Sequence, residues 1–169
     1  ERLQYLASTD PLTGLLNRRH FDERVSFEIS RIKRYGNKSS LLIADIDNFK
    51  DVNDNFGHPA GDALLEEFAI MLKRQLRETD IVARIGGEEF AILLTDTDGP
   101  RGRIVAEKIR ENMEEKTFVL DGLRINITVS IGVASLDSRI NSYEEVYRHA
   151  DRALYAAKSK GKNRVDYSV

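Results

Sequence analysis

Residues 81–94 read IVARIGGEEFAILL, two short apolar runs joined by two glycines and two glutamates. Each run is too short for a globular helix and suits a buried strand, and so tight a joint turns the chain back on itself. The segment is therefore expected to be an antiparallel hairpin with Gly86-Gly87-Glu88-Glu89 at its tip. Both glycines can take positive φ there and let the backbone come close to a ligand. A lone tip of this kind reads most simply as a solvated turn. Other carboxylates and cations along the chain give it more weight.

LLIADI (41–46) is short, apolar and rich enough in β-formers to be a buried central strand. Ala60, Ala63, Leu64, Phe68, Met71, Leu72 and Leu76 recur at three-and-four spacing and define one face of a helix. Val105, Ile109 and Met113 mark another. Ser142 with Glu145 three residues on forms a capping-box signal, followed by the stripe Val146, Ala150, Ala153, Leu154 and Ala157. FVL, Asp121-Gly122 and LRI predict a hairpin with a type I′ turn. Its return strand is expected to run on through INITVSIGV, where Ile125, Ile127, Val129, Ile131 and Val133 alternate with small or polar residues. Helix, strand, helix, strand, strand, helix, strand in this order predicts an α/β sandwich, with helices packed over a mixed sheet.

At 169 residues and 41% hydrophobic, the chain has enough apolar material for one globular domain. A net charge of −2 gives no general attraction to nucleic acid or anionic membrane, so an anionic ligand must be held by local charge. Cysteine is absent, which excludes disulfides, thiol chemistry and cysteine metal sites. No stretch of these residues reads as a signal peptide or transmembrane run. The chain begins at Glu1 rather than Met, so it is expected to be an excerpt from a longer protein. The domain itself is expected in the cytoplasm, and membrane anchoring of the parent is left open.

Asp45 and Asp47 close an apolar strand, where charge is costly unless solvated or paired with a cation. If that strand neighbours the hairpin, Asp45 meets Glu88 and Glu89 across the sheet edge. Carboxylate and carbonyl oxygens make a poor zinc site and a good seat for Mg²⁺, which keeps positions free for water and phosphate. A metal pair there could polarise an α-phosphate and neutralise leaving pyrophosphate. No GxxxxGK[ST], GxGxxG or HExxH is present, so the common triphosphate loops and zinc helices are excluded. The remaining source of phosphate contacts is KSKGKNR, with Lys158, Lys160, Lys162 and Arg164. Alone it is a charged helix end, but beside a metal it becomes a phosphate clamp.

DPLTGLLNRR (10–19), DIDNFKDVNDNFGHPAGDALL (45–65), RIGGEEF (84–90), ITVSIGVA (127–134) and ADRALYAAKSKGKNRV (150–165) resemble, in order, the motifs of the GGDEF family, the diguanylate cyclases. The resemblance implies a palm-like, mainly antiparallel sheet as in nucleotidyl cyclases and polymerases, binding GTP with Mg²⁺ or Mn²⁺, two ions per site. Carried over position by position, it implies that Asp45, the carbonyl of Ile46 and Glu88 hold metal. Glu89 is implied as an auxiliary ligand or as proton acceptor for a 3′ hydroxyl. Asn53 and Asp62 match the guanine-reading positions, which agrees with chemistry, because a carboxylate accepts from N1–H and N2–H₂ of guanine. Phe49 and Lys50 match the phosphate-wrapping loop, His58 shapes the guanine loop, and Lys160 and Arg164 match the phosphate-binding basics. Asp47 is expected to make structural hydrogen bonds, and His20 and His149 are read as packing or surface residues. Glu88 stands for the name-giving Asp, and Ile85 stands where an aromatic is frequent.

The same resemblance implies that two domains, each holding one GTP, meet across a two-fold axis to form cyclic di-GMP, so that a homodimer is the working unit. Residues 1–8 are then the end of a connecting helix from an upstream sensory region, with Leu3 and Leu6 at helical spacing, and residues 9–169 the catalytic domain. Arg77 and Asp80 of RETD match the RxxD product-inhibition motif, and Lys108 or Arg110 is placed to assist it. Guanine's O6/N7 edge suits Arg, and its donors suit Asp. Two other readings are a cyclic di-GMP receptor without turnover, disfavoured by the intact acidic and basic set, and a cyclase taking ATP. Asp62 disfavours ATP because it would face adenine's acceptor edge.

Overall fold

β1 (Ser39–Ile46) is the third strand of a five-stranded sheet, buried over nearly its whole length as its apolar run predicts. We describe a computed structural model covering residues 2–168, with the backbone alone for Gln4, Tyr5 and Leu6. In chain order its other elements are α1 (Arg2–Ser8), α2 (Arg18–Tyr35), α3 (Phe49–Phe56), α4 (His58–Gln75), β2 (Ile81–Arg84), β3 (Glu89–Leu94), α5 (Gly99–Glu115), β4 (Thr117–Leu120), β5 (Leu123–Asn126), β6 (Val129–Leu136), α6 (Tyr143–Ser159) and β7 (Val165–Ser168). The strand order is β2-β3-β1-β6-β7, antiparallel except for the parallel β6–β7 pair. This is the mixed, mainly antiparallel sandwich expected. The edge strand β7 and the short helix α3 were not foreseen.

Alternation along the strands sorts the core into two layers. Leu42, Ala44 and Ile46 of β1, Phe90 and Ile92 of β3, and Val129, Ile131 and Val133 of β6 pack under α4, α5 and the β4–β5 hairpin. Phe68 of α4 meets Phe90 edge-on, with ring centroids 4.9 Å apart. Leu41 and Ile43, Ala91 and Leu93, and Ala134 face α2 and α6 instead. The small residues of β6 on this second face let α6 lie directly on the sheet. A methyl added at Gly132 would collide with the backbone of Ala150 and Leu154. Gly132→Ala is expected to destabilise the domain by about 1–3 kcal/mol, read as a lower denaturation midpoint with an unchanged m-value.

Two local expectations change. The strand through INITVSIGV breaks after Asn126: β5 pairs only with β4, in a separate two-stranded sheet. β1 ends at Ile46, and past the Asp47 N–H bond to the Thr128 carbonyl, 2.9 Å, no sheet partner is left for the segment before β6. The hairpin turn is as expected, with Asp121 and Gly122 at φ 50° and 77°. In the second change, Gly86 and Gly87 do not take positive φ. The bend is instead closed by the Ile85 and Gly86 N–H groups on the Glu89 carbonyl, at 2.9 and 3.3 Å.

Ser142 caps α6 by accepting from Glu145 N–H, but Glu145 returns its carboxylate to Asn141 N–H, so the capping box is offset by one residue. α1 is helical, with Leu3 84% exposed. The Leu6 side chain, its expected companion, lies outside the described residues.

Candidate active site

The end of β1 brings the acidic residues together. Asp45 is the register partner of Glu89 on one side and Ser130 on the other, so these side chains share the α2/α6 face of the sheet. Ile46 N–H donates to the Glu88 carbonyl at 3.3 Å, fixing the hairpin tip beside the strand end. Burial is the main effect that pushes the Glu89 carboxyl above its ordinary range, and Asp45, Asp151 and Glu88 add to it while Arg18 opposes. Gly86 matters here for its size, since a Cβ would lie 3.2 Å from Glu89 Oε2.

Arg84 explains the shape of the tip. Its guanidinium donates to the carbonyls of Gly86 and Gly87, at 3.2 and 2.9 Å, and to Asp10 at 3.3 Å. Asp10 in turn accepts from the Thr13 N–H and hydroxyl, both at 2.8 Å. The DPLTG segment thus anchors the hairpin, a role the sequence reading did not assign.

Lys158 reaches across from α6 into the carboxylates. Its Nζ lies 2.7 Å from Asp45 Oδ1 and 2.7 Å from Asp47 Oδ1. Asp47 is 1% exposed at its side chain and makes the structural bonds expected of it, accepting also from Thr128, Ser130 and Asn163 N–H. Burial is the largest influence on both aspartates, and its outcome differs. At Asp45 it wins over Lys158 and the carboxyl is pushed up. At Asp47 the added donors outweigh it, and the carboxyl is held below the usual range. Burial disfavours the Lys158 ammonium, but its two carboxylate partners raise it overall. Lys158 thus favours the charged form of both aspartates, outweighing burial at Asp47 together with the other donors and only opposing it at Asp45.

The basic turn after α6 sends its cations to different sides. Lys160 is drawn onto Asp166 at 2.8 Å, and Arg164 turns back to the Lys162 carbonyl. Lys158 and Lys162 face the acidic end instead, with Lys162 Nζ 2.7 Å from Asn48 Oδ1 and its charge felt at Asp45. Gly161, Lys162 and Asn163 all have positive φ, and this twist sends successive basics to different sides.

Phe49 and Lys50 open α3 rather than lying in an open loop. Asn48, at φ 55°, precedes them without a side-chain cap, and Phe49 is buried while Lys50 is exposed. Asn53 packs against Gly61, next to Asp62, at a spot where a methyl on Gly61 would collide with its Oδ1. The structure thereby brings the two expected guanine-reading residues onto facing turns of α3 and α4. His58 is exposed at the start of α4.

Arg77 and Asp80 are already paired, with Nη2 to Oδ1 at 2.8 Å, and Arg77 also donates to the Thr95 carbonyl and the Thr97 hydroxyl. Neither expected helper is seen with them. Arg110 is held by Glu107, Glu114 and Asn163, toward the other end of α5 from the Thr97 turn, and Lys108 lines an exposed groove with Arg103 and Glu107.

Among the described residues, no group of three or more Asp, Glu or His side chains is arranged to hold a metal ion unaided. The donor set expected is smaller, two carboxylates and the Ile46 carbonyl, with the remaining positions left to phosphate and water. Its chemistry fits Mg²⁺, and the Lys158 ammonium between Asp45 and Asp47 marks a place where positive charge is stabilised.

Acidic strand ends facing a basic helix end make a site suited to phosphate held through cations. Residues 7–164 match the family model described as diguanylate cyclase, GGDEF domain, and the chain belongs to the GGDEF family. Diguanylate cyclase A of Treponema denticola is 41% identical over 99% of this chain and 46% of its own length. The chain thus spans less than half of that relative. The coiled coil and GGDEF domain of DgcB from Caulobacter crescentus, in complex with c-di-GMP, superposes with a TM-score of 0.93 at 31% identity, covering 99% of this chain and 88% of that one. The active GGEEF domain of a diguanylate cyclase from Vibrio cholerae gives 0.85 at 35% identity, over 92% and 98% of the two chains. No helix among the described residues is long and apolar enough to cross a membrane.

Proposed function

We propose that this domain is a diguanylate cyclase that condenses two GTP into cyclic di-GMP and two pyrophosphates. The observation that carries the proposal is the register of Asp45 with Glu89, with Lys158 reaching both strand-end aspartates. Asp45, the Ile46 carbonyl and Glu88 would hold Mg²⁺ or Mn²⁺, two ions per site. When bound, the cations supply charge stabilisation at the α-phosphate and at the leaving pyrophosphate.

The chain's own groups do the rest. Asn53 and Asp62 would orient guanine, and the first-turn N–H groups of Phe49 and Lys50 would donate to phosphate. Lys158 and Lys162, rather than Lys160 and Arg164, neutralise the β- and γ-phosphates. The 3′ oxygen of one nucleotide bonds to the α-phosphorus of the other as the bond to pyrophosphate breaks, and the hydroxyl proton passes to Glu89. A carboxyl raised by burial and by its acidic neighbours is suited to that transfer. Because each site holds one GTP, a second copy of the domain completes the reaction. Residues 1–8 are read as the end of a helix that brings domains together under control of an upstream region.

The test incubates the chain, fused to a dimeric coiled coil, with Mg²⁺ and GTP or ATP, and identifies products by mass spectrometry. Cyclic di-GMP from GTP alone is expected. Product from ATP at a similar rate would overturn the guanine assignment, and an inert dimer that binds cyclic di-GMP would make the domain a receptor.

Arg77 and Asp80 are proposed as the inhibitory product site. Arg77→Ala is expected to raise the cyclic di-GMP concentration that halves the rate by at least about tenfold, as for loss of a bidentate guanine contact. Progress curves should then lose their product-dependent slowing. Unchanged inhibition would remove Arg77 from that site.

A further inference from the structure

The turn that delivers Lys162 is unusual in its backbone and in what fastens it. Gly161, Lys162 and Asn163 take φ values of 121°, 65° and 46°, a region that the Lys162 side chain disfavours and that Asn tolerates. Such a run persists only where its surroundings hold it. Asn163 is gripped from two sides. Its N–H donates to Asp47 Oδ2 at 3.0 Å, beneath the acidic strand end. Its side-chain amide donates to Glu114 Oε2 at 3.1 Å and accepts from Arg110 Nη1 at 3.1 Å, both on α5. Arg110 is itself braced by Glu107 at 3.0 Å and by Glu114 at 2.6 Å. Opposite, Lys162 Nζ meets Asn48 at the mouth of α3, another residue at positive φ.

Resting on the cyclase reading above, we infer that Arg110 and Asn163 are positioning residues. They form a clamp from α5 that fixes the Gly161–Asn163 turn and so aims Lys162, with Lys158 behind it, at the triphosphate. Neither residue touches the nucleotide. The clamp acts only on groups that meet β- and γ-phosphates, so its loss should be felt by a triphosphate and not by a monophosphate. Asn suits the position twice over, since it tolerates the left-handed region and offers both a donor and an acceptor there. Arg110 also neutralises acidic neighbours on α5, so charge and geometry must be separated. Asn163→Ala does this, because it removes the grip without changing charge.

The experiment measures binding of α,β-methylene-GTP and of GMP, with Mg²⁺, to the wild-type chain, Arg110→Met, Asn163→Ala, Asn163→Gly and the Arg110→Met/Asn163→Ala double variant. Amide exchange over residues 160–164 is followed in the nucleotide-free proteins. Each single variant is expected to bind the triphosphate analogue about tenfold more weakly, and the double variant no more weakly than the singles, as for residues in one network. GMP affinity should stay within about twofold, and exchange in the turn should rise about tenfold, the factor that loss of one coupled contact gives. Asn163→Gly keeps the backbone freedom and should behave like the Ala variant. Unchanged exchange in Arg110→Met overturns the clamp, as does equal weakening for GMP and analogue. Weakening by Arg110→Met alone would assign the effect to charge and also overturn it. A wild-type chain that binds neither nucleotide would instead sink the cyclase reading, and the exchange measurement would still decide whether the clamp exists.

Discussion

Asp45→Asn is expected to abolish cyclic di-GMP synthesis while leaving the domain as stable as before, or more so. The loss in turnover should be about 10³-fold or greater, because charge stabilisation through a bound cation is worth several kcal/mol in the transition state. Stability moves the other way. Burial pushes the Asp45 carboxyl up despite the Lys158 ammonium 2.7 Å away. A carboxyl raised on folding costs stability at pH values above its unfolded range, and the cost vanishes on acidification below that range. At neutral pH, Asn removes the cost, and Lys158 keeps Asp47 as a partner. Thermal unfolding without divalent cation should therefore give a Tm equal to or above the wild-type value. Mn²⁺ added with a non-hydrolysable GTP analogue should raise the wild-type Tm more than that of the variant, since only the wild type keeps the Asp45 ligand. Substantial turnover by Asp45→Asn would remove this residue from the chemistry.

Asp47→Ala is expected to damage the fold first and activity only as a consequence. Its carboxylate accepts from Lys158, Thr128, Ser130 and the Asn163 N–H at 2.7–3.0 Å, and it joins β1, β6 and the turn after α6. Truncation leaves several buried donors without an acceptor. Breaking a buried charge pair in this way costs about 3–5 kcal/mol, readable in urea unfolding. The pH dependence has the opposite sign from Asp45. Burial alone would raise the Asp47 carboxyl, but the donors together hold it below the usual range. Its stabilisation is fully present above the unfolded carboxylate range and is lost as pH falls through the lower folded value. The wild type should lose stability on acidification over that window, and Asp47→Ala should lose less. A difference under about 1 kcal/mol at neutral pH would mean that Asp47 does not hold the site together.

Two neighbouring aspartates two residues apart thus carry opposite burdens, and only part of this was legible in the sequence. The apolar run LLIADI marked a buried strand with Asp45 and Asp47 at its end. The hairpin at residues 81–94 followed from its short apolar arms. Which strand would lie beside β1 was not written in either segment, because register depends on pairing across distant parts of the chain. Lys158 was grouped with the basic run after the last helix, but α6 continues through Ser159 and carries it, four residues after the buried Leu154. Helical phase could not carry Lys160 or Arg164 past the helix end, where positive φ at three successive residues reorients the basics. Periodicity misled at Ile127, since alternation continues there although the sheet partner has ended. Arg84 and Asp10 were invisible for a related reason: their pairing joins residues far apart in sequence, and neither carries chemistry of its own.

Binding of Mn²⁺ followed by electron paramagnetic resonance, in the presence of a non-hydrolysable GTP analogue, tests the convergence of Asp45 and Glu88 most directly. The wild-type domain should bind Mn²⁺ in a nucleotide-dependent way, and Asp45→Asn and Glu88→Gln should each weaken it by at least about tenfold, as expected for loss of one charged ligand. Equal Mn²⁺ binding by wild type and both variants would contradict a shared cation at the strand end and the hairpin tip.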